Sequence, residues 1–497
     1  MNFTQDSTES VTAKIQKLIS QATNHSTAYH NLETLCLCYP GRISGSDILE
    51  TALDFLVKLG REEMGLDGLR EEIVPGVPNW VRGNSDEEKL VFFIDAEGIW
   101  PVPNPLKRTI RIMANGMSVG TTESGITGPI ISVRNIAELK ALGIEAVTGK
   151  IVLLDYQHFT TYKELSGPVR GTGAIEAAKL GAVGFLNRCI APDSTVSGLH
   201  TGTIYPFPAD VKPIPTASVT VEDAELLTRL LRRNYRITGN LTLPCRRYED
   251  RTSRNIIFEI PGSGAHASEV VLIGGHTDSW ECHHLSCQGA HDDGQGVIVC
   301  LEALRCIQRA GLSPQRTIRC VLFVDEECRQ SGATAYLKGC TDVDNIVVAM
   351  ETDLGAGPVI GFGFTGGVGG REVVRQILAP MSAINDFKGS LRDSKGELLC
   401  EECDCVNRVD DSWEGWGVDT MPLVLQAGVP GVLLRHEDTW WENDYFHHHH
   451  AASDTINNVD PGLLMLNLHA VTCATWLLAN ATDVAIPRGI KTNKTLY

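Results

Sequence analysis

Five places along the chain gather nitrogen and oxygen donors of the kind that bind metal ions. The apolar run EVVLIGG is followed by His276, Thr277 and Asp278, TIRCVLFV by Asp325, Glu326 and Glu327, and NIVVAM by Glu351, Thr352 and Asp353. The loop GAHDDGQG holds Asp292 and Asp293 at the head of an amphipathic stretch, and the run His447 to His450 precedes Asp454 and Thr455. Taken singly, each has an ordinary explanation. A His-x-Asp pair suits a structural contact, the acidic triple a solvated strand exit, the aspartates a helix cap, and the histidines a surface tract. Those explanations must be supplied five times, whereas a shared metal centre accounts for all five at once. Carboxylates mixed with imidazole suit Zn²⁺. Two such ions about 3.5–4 Å apart and bridged by an aspartate form the usual arrangement for hydrolysis. The pair polarises a carbonyl and lowers the pKa of a shared water to about 7. A glutamate that does not bind metal then moves the proton to the leaving amine. Adjacent Glu326 and Glu327 can divide the tasks of base and ligand, and Asp278 can orient the imidazole of His276.

The surrounding pattern says what must hold these residues. From about residue 243 onward, strand-length apolar runs (IIFEI, EVVLIGG, TIRCVLFV, NIVVAM) alternate with helical periodicity, as in VIVCLEALRCIQRAG, where Val297, Leu301, Leu304 and Ile307 share a face. This predicts an α/β domain with a mostly parallel central sheet flanked by helices. In such sheets ligands bind beyond the C-terminal ends of the strands, which is where the donor clusters fall. Residues 1–118 begin with helical periodicity, with Leu49, Ala52, Leu53 and Leu56 on one face after PGRISGS, followed by a Pro- and Trp-rich loop region. Residues 119–242 change to short β-rich runs: GKIVLLDY and AVGFLNR read as buried strands around the short helix GAIEAAKLG, and IPTASVTVEDAELLTRLLRR as strand, cap and helix. The apolar stretch 462–481 contains Asn467 and His469 and reads as a buried C-terminal helix rather than a membrane span.

Composition sets outer limits. The formal net charge of -18 argues against nucleic acid or an anionic membrane as a partner. The N-terminal MNFTQDSTES is polar and shows no signal peptide. Fifteen cysteines without regular spacing argue against a closed disulfide framework, although the five sequons at Asn2, Asn24, Asn240, Asn480 and Asn493 weigh against a purely cytoplasmic reading. Cys282, His283, His284 and Cys287, between the first two donor clusters, receive no role, and CEECDC (400–405) reads as a loop. DTWWENDYF (438–446) is a candidate pocket or subunit-contact loop.

In order and spacing, GGHTDSW, GAHDDGQG, VDEE followed by SGA, METDLG and HxxxDT resemble the di-zinc aminopeptidases and carboxypeptidases of the M28 family, as do GRISGS and QAGVPGVLL. The resemblance runs from about Gly41 to the C-terminal helix. It implies that one zinc takes His276 and Asp353, that the other takes Glu327 and His450, and that Asp292 bridges them. Glu326 is then the general base and Asp278 the partner of a ligand histidine. His450 is preferred to its neighbour His449 because it lies four residues before Asp454. The resemblance also implies that 119–242 is a protease-associated domain inserted between an N-terminal part (1–118) and the main part (243–497) of the peptidase domain. It further implies a dipeptide or short-peptide substrate, a homodimer, and secretion or a lysosomal location. A zinc aminopeptidase acting on longer peptides uses the same ligands. A metal-free receptor-like scaffold or a one-zinc cyclase is disfavoured, because all five ligands and Glu326 are present.

Overall fold

The computed structural model describes residues 10–94, 106–156, 165–190, 198–283, 286–383, 408–410, 418–436, 445–489 and 491. His284, the 400–405 cysteine cluster and most of the 438–446 segment lie outside them. Seventeen strands are described. In chain order they are β1 (Arg70–Val77), β2 (Trp80–Val81), β3 (Lys89–Ile94), β4 (Leu106–Ala114), β5 (Ile126–Val133), β6 (Ile151–Leu154), β7 (Gly184–Arg188), β8 (Thr216–Val219), β9 (Ile237–Thr242), β10 (Arg246–Arg247), β11 (Arg251–Ile260), β12 (Val270–His276), β13 (Thr317–Phe323), β14 (Ile346–Glu351), β15 (Val359–Phe364), β16 (Arg408–Asp410) and β17 (Gly431–His436).

Eight of them form one sheet in the order β1-β11-β13-β12-β14-β17-β15-β16. Its centre is parallel, as expected: β13, β12, β14 and β17 all run one way. Its flanks depart from expectation, since β1 and β11 are antiparallel to their neighbours, as is β15 against β17. The link between β11 and β12, residues 261–269, holds a single short turn of helix. A parallel return needs a crossover of a dozen or more residues, so the chain reverses. An apolar run does not encode strand direction, and the sheet is mixed.

The central strands are apolar throughout because both of their faces are covered. Val271 and Ile273 of β12 join one core with Val297, Leu301 and Leu304 of the helix Gln295–Arg309 and with the helix Pro461–Asn480. Val270 and Leu272 face the other way, onto a second core with Phe323, Ala333 and Tyr336. The helix Pro461–Asn480 is long and apolar enough to cross a membrane, but it is packed inside the protein. Its start is set by Pro461 at the first helical position and by Asp460, which accepts from the amides of Gly462 and Leu463.

A second unit is a closed barrel of β3-β4-β8-β7-β6-β5-β9. The strands expected at 149–156 and 182–188 are its β6 and β7. The barrel begins at Lys89, well before residue 119, because β3 and β4 pair with each other and close onto β9 and β8. The alternating burial along KLVFFI is the half-buried strand pattern, in a stretch expected to be loop.

Candidate metal centre

The parallel register brings three donor clusters to one level. His276 ends β12 opposite Phe323, the last residue of β13, and Gly274 pairs with Glu351, the last residue of β14. Asp325 to Glu327 and Asp353 therefore leave neighbouring strand ends beside His276. Asp292 comes from the loop that opens the helix Gln295–Arg309 and is joined to Asp293 by a cis peptide bond. That loop fits because glycines let it approach. A Cβ on Gly275 would lie 2.4 Å from Asp293 Oδ2, and one on Gly296 2.4 Å from Asp293 Oδ1. Asp293 Oδ2 instead accepts the amide of His276 at 3.2 Å, and Oδ1 accepts the amide of Gly296 at 3.1 Å.

All five expected ligands converge. Asp292 Oδ1 lies 3.2 Å from His276 Nε2, which is 3.4 Å from Asp353 Oδ1. Asp292 Oδ2 lies 3.2 Å from His450 Nε2, which is 2.9 Å from Glu327 Oε2. One carboxylate thus faces two donor groups, one with each oxygen. His449, the alternative to His450, also reaches Asp292 Oδ2, at 3.5 Å. Four of the five are buried and His450 is half-buried, yet Asp292 Oδ2, Glu327 Oε1 and Asp353 Oδ1 have no hydrogen-bond partner among the described residues. A buried carboxylate oxygen without a donor is expensive unless a cation takes it up. Burial and neighbouring carboxylates raise Asp353 to about 7 and push Glu327 well above the usual carboxylate range. A divalent cation relieves that repulsion, and the mixture of imidazole and carboxylate is a zinc donor set. The residues fit two ions.

Glu326 adjoins this cluster without entering it. It is buried, and its Oε1 accepts from Gln330 Nε2 at 3.2 Å. Burial and the carboxylates of Asp353 and Glu327 raise its pKa strongly. Asp278 departs in detail from expectation. His276 Nδ1 meets the backbone carbonyl of Asp278 at 3.0 Å, while the carboxylate is 3.6 Å away. That carboxylate instead accepts the amides of Glu326 (3.1 Å) and Glu327 (3.3 Å) and the hydroxyl of Ser44 (2.8 Å). Burial alone would raise Asp278, but His276, Ser44 and the Glu326 amide hold it below its ordinary value.

Several supporting residues receive no role from the sequence. Asp454 accepts the amides of Ala290, His291 and Asp292, fixing the bridging loop. Its signal was present as the Asp of HxxxDT. Arg42 of GRISGS is wholly buried and donates to the carbonyls of Thr277, Gln288 and Gly289, bracing two ligand loops together. The barrel also reaches the site. The Thr201 amide donates to the His450 carbonyl at 2.9 Å, the His200 ring meets the His449 carbonyl at 3.0 Å, and Arg170 lies 2.9 Å from His450 Nδ1. No local pattern announces contacts made across some 250 residues. Cys282 and Cys287 are buried, the former with its thiol 3.8 Å from the His450 carbonyl.

Comparison with known proteins points the same way. Residues 255–473 match the family described as Peptidase family M28. Carboxypeptidase Q of Xenopus laevis is 33% identical over 462 residues, covering 93% of this chain and 87% of the relative. The solved structure of a peptidase M28 precursor from Shewanella amazonensis SB2B superposes with a TM-score of 0.80 at 27% identity, covering 97% of this chain and 99% of the other. A zinc aminopeptidase from Bacillus subtilis shares the fold at 18% identity and a TM-score of 0.60, covering 94% and 96%. With the motifs, the strand-end site and these relatives in agreement, the chain belongs to the M28 family of peptidases.

Proposed function

We propose that the protein is a zinc-dependent exopeptidase that hydrolyses dipeptides or short peptides. One zinc is assigned to His276 and Asp353, the other to Glu327 and His450, and Asp292 bridges them. The observation that carries this reading is the division of Asp292, whose two oxygens face separate donor groups. When bound, the zinc pair supplies a polarised scissile carbonyl and an acidified water. The protein's own part is placement and proton transfer. Glu326 takes the proton of the attacking water on its carboxylate and returns it to the departing amine. Gln330 holds one of its oxygens, and Asp278 fixes the backbone that points Glu326 and Glu327 in different directions. The barrel, taken as the protease-associated insert, buttresses the His449–His450 turn. The exopeptidase reading follows the likeness to carboxypeptidase Q.

Elemental analysis of the purified protein, paired with a dipeptide assay before and after chelation, tests this. About two zincs per chain, with chelator-sensitive cleavage restored by added zinc, are expected. Protein that binds no zinc and cleaves no dipeptide overturns the proposal.

A further inference from the structure

We infer that Trp280 is a positioning residue for His450, seated against it through a gap that Gly116, just after β4 of the barrel, leaves open. The inference rests on the two-zinc reading above, in which His450 holds one ion. His450 follows the short helical turn Phe446–His448 and adopts a left-handed φ of 59°, a conformation uncommon outside glycine. Such a backbone persists where its surroundings hold it, and a ligand ring needs a fixed direction to serve a metal. Three neighbours bound this ring. His449 stacks on it, with centroids 3.6 Å and planes 20° apart. Trp280 meets it edge to face, with centroids 5.8 Å and planes 61° apart, within the range at which aromatic pairs favour that arrangement. Gly202 comes so close that a Cβ there would lie 2.8 Å from His450 Nδ1.

What holds Trp280 is shape. The indole is wholly buried, yet its Nε1 has no hydrogen-bond partner among the described residues, so close packing must seat it. Its six-membered ring fills the space beside Gly116. A Cβ on Gly116 would lie 1.9 Å from Cη2 and 2.3 Å from Cζ3 of Trp280, far inside an ordinary carbon contact of about 3.5–4.0 Å. The Gly116 backbone is pinned where it is. Its amide donates to the Gly202 carbonyl at 2.9 Å, and its carbonyl accepts the Ile204 amide at 3.1 Å. The same stretch of barrel supports the histidine turn, since the Thr201 amide donates to the His450 carbonyl at 2.9 Å.

The barrel therefore reaches His450 twice, through backbone contacts at Thr201 and Gly202 and through the indole that Gly116 admits. Core packing alone would be met by any large apolar side chain that fills the same space. Positioning makes a sharper demand, because displacing the indole moves the ring of a metal ligand without changing a donor atom. Its effect should fall on the ion held by His450 and spare the one held by His276.

Chelator competition, paired with denaturant unfolding, on Gly116→Ala, on Trp280→Leu and on the double variant Gly116→Ala, Trp280→Phe tests this. Gly116→Ala should weaken one zinc of the two by about 10–100-fold, the loss usual when a residue that orients a ligand is changed, and leave the other as it was. Phenylalanine lacks Cη2, Cζ3 and Cζ2, the atoms that the new Cβ would meet, so the double variant should recover most of that affinity. Trp280→Leu keeps an apolar side chain but no ring edge. It should weaken the same zinc, and it decides the question if Gly116→Ala does not fold. Variants that lose stability yet bind both zincs as tightly as the native protein make Trp280 a packing residue and overturn the inference, while the two-zinc reading survives. Equal weakening of both zincs, or a double variant no tighter than Gly116→Ala, overturns it as well. Native protein that takes up no zinc removes the two-zinc reading and this inference with it.

Discussion

At the scale of single residues, the site depends on one carboxylate doing two jobs while its neighbour Asp293 does neither. Asp292 presents an oxygen to each donor group, and Asp293 turns inward to accept the amides of His276 and Gly296. Asp292→Asn should therefore lower the occupancy of both zincs together; elemental analysis that finds only one zinc lost would argue against a bridge. Glu326 is separable from binding. Glu326→Gln should keep both zincs and lower kcat by about 10²- to 10⁴-fold, the usual worth of a positioned proton-transfer group, and near-normal turnover would remove it from the base role. Three of the five donor clusters stand out in the sequence because each follows an apolar run, and the other two as a glycine-flanked acidic loop and a histidine run. The division of labour within a cluster was less legible. Nothing in the letters says that Asp278 binds the backbone of Glu326 and Glu327 more closely than the His276 ring. Nor do they show that His449 and His450 turn the same way, which depends on a left-handed residue.

Elements were legible where burial and period agree. The helix over 47–58 lies as its apolar face predicts, with Ser46 capping it through the Leu49 amide. The almost wholly buried strands β12, β13 and β14 coincide with the apolar runs. Strand direction and the start of the barrel at Lys89 were hidden, because the first depends on connection length and the second on pairing with distant strands. An element-level prediction concerns β17 and the C-terminal helix, which meet where His436 Nε2 donates to Asn467 Oδ1 at 2.8 Å. Burial pushes His436 down to about 4, so the fold holds it neutral. Unfolded, it protonates near its ordinary value of about 6.5. The unfolded chain therefore binds more protons between those values. The associated stability is fully present above about 6.5 and is lost as pH falls through about 4, amounting to on the order of 3 kcal/mol. Denaturant unfolding between pH 7.5 and pH 4.5 should show this decline, and His436→Gln should flatten it. An unchanged slope in the variant would place the acid sensitivity elsewhere.

At the scale of the whole molecule, the question is what fixes the barrel to the sheet that carries the ligands. Arg82 and Glu88, just ahead of β3, are completely buried and 3.0 Å apart. Arg82 also donates to the carbonyls of Ala114 in the barrel and Glu281 beside the site, and to the Thr201 hydroxyl. Thr201 in turn supports His450 through its amide. One guanidinium thus joins barrel, ligand loop and histidine turn. Breaking a buried pair strands a charge, at about 3–5 kcal/mol, whereas replacing both partners with apolar groups of similar volume is often neutral. Glu88→Ala should lose roughly that much stability and loosen zinc, because Thr201 shifts with Arg82. The double change Arg82→Met, Glu88→Leu should recover stability but not the hydrogen bonds to Glu281 and Thr201, so zinc affinity should stay reduced. A double-mutant cycle read by both denaturant unfolding and chelator competition separates the two effects. If affinity returned together with stability, the barrel would need only to be docked. If stability returned alone, Arg82 would be shown to align the His449–His450 turn as well as to hold the two units together.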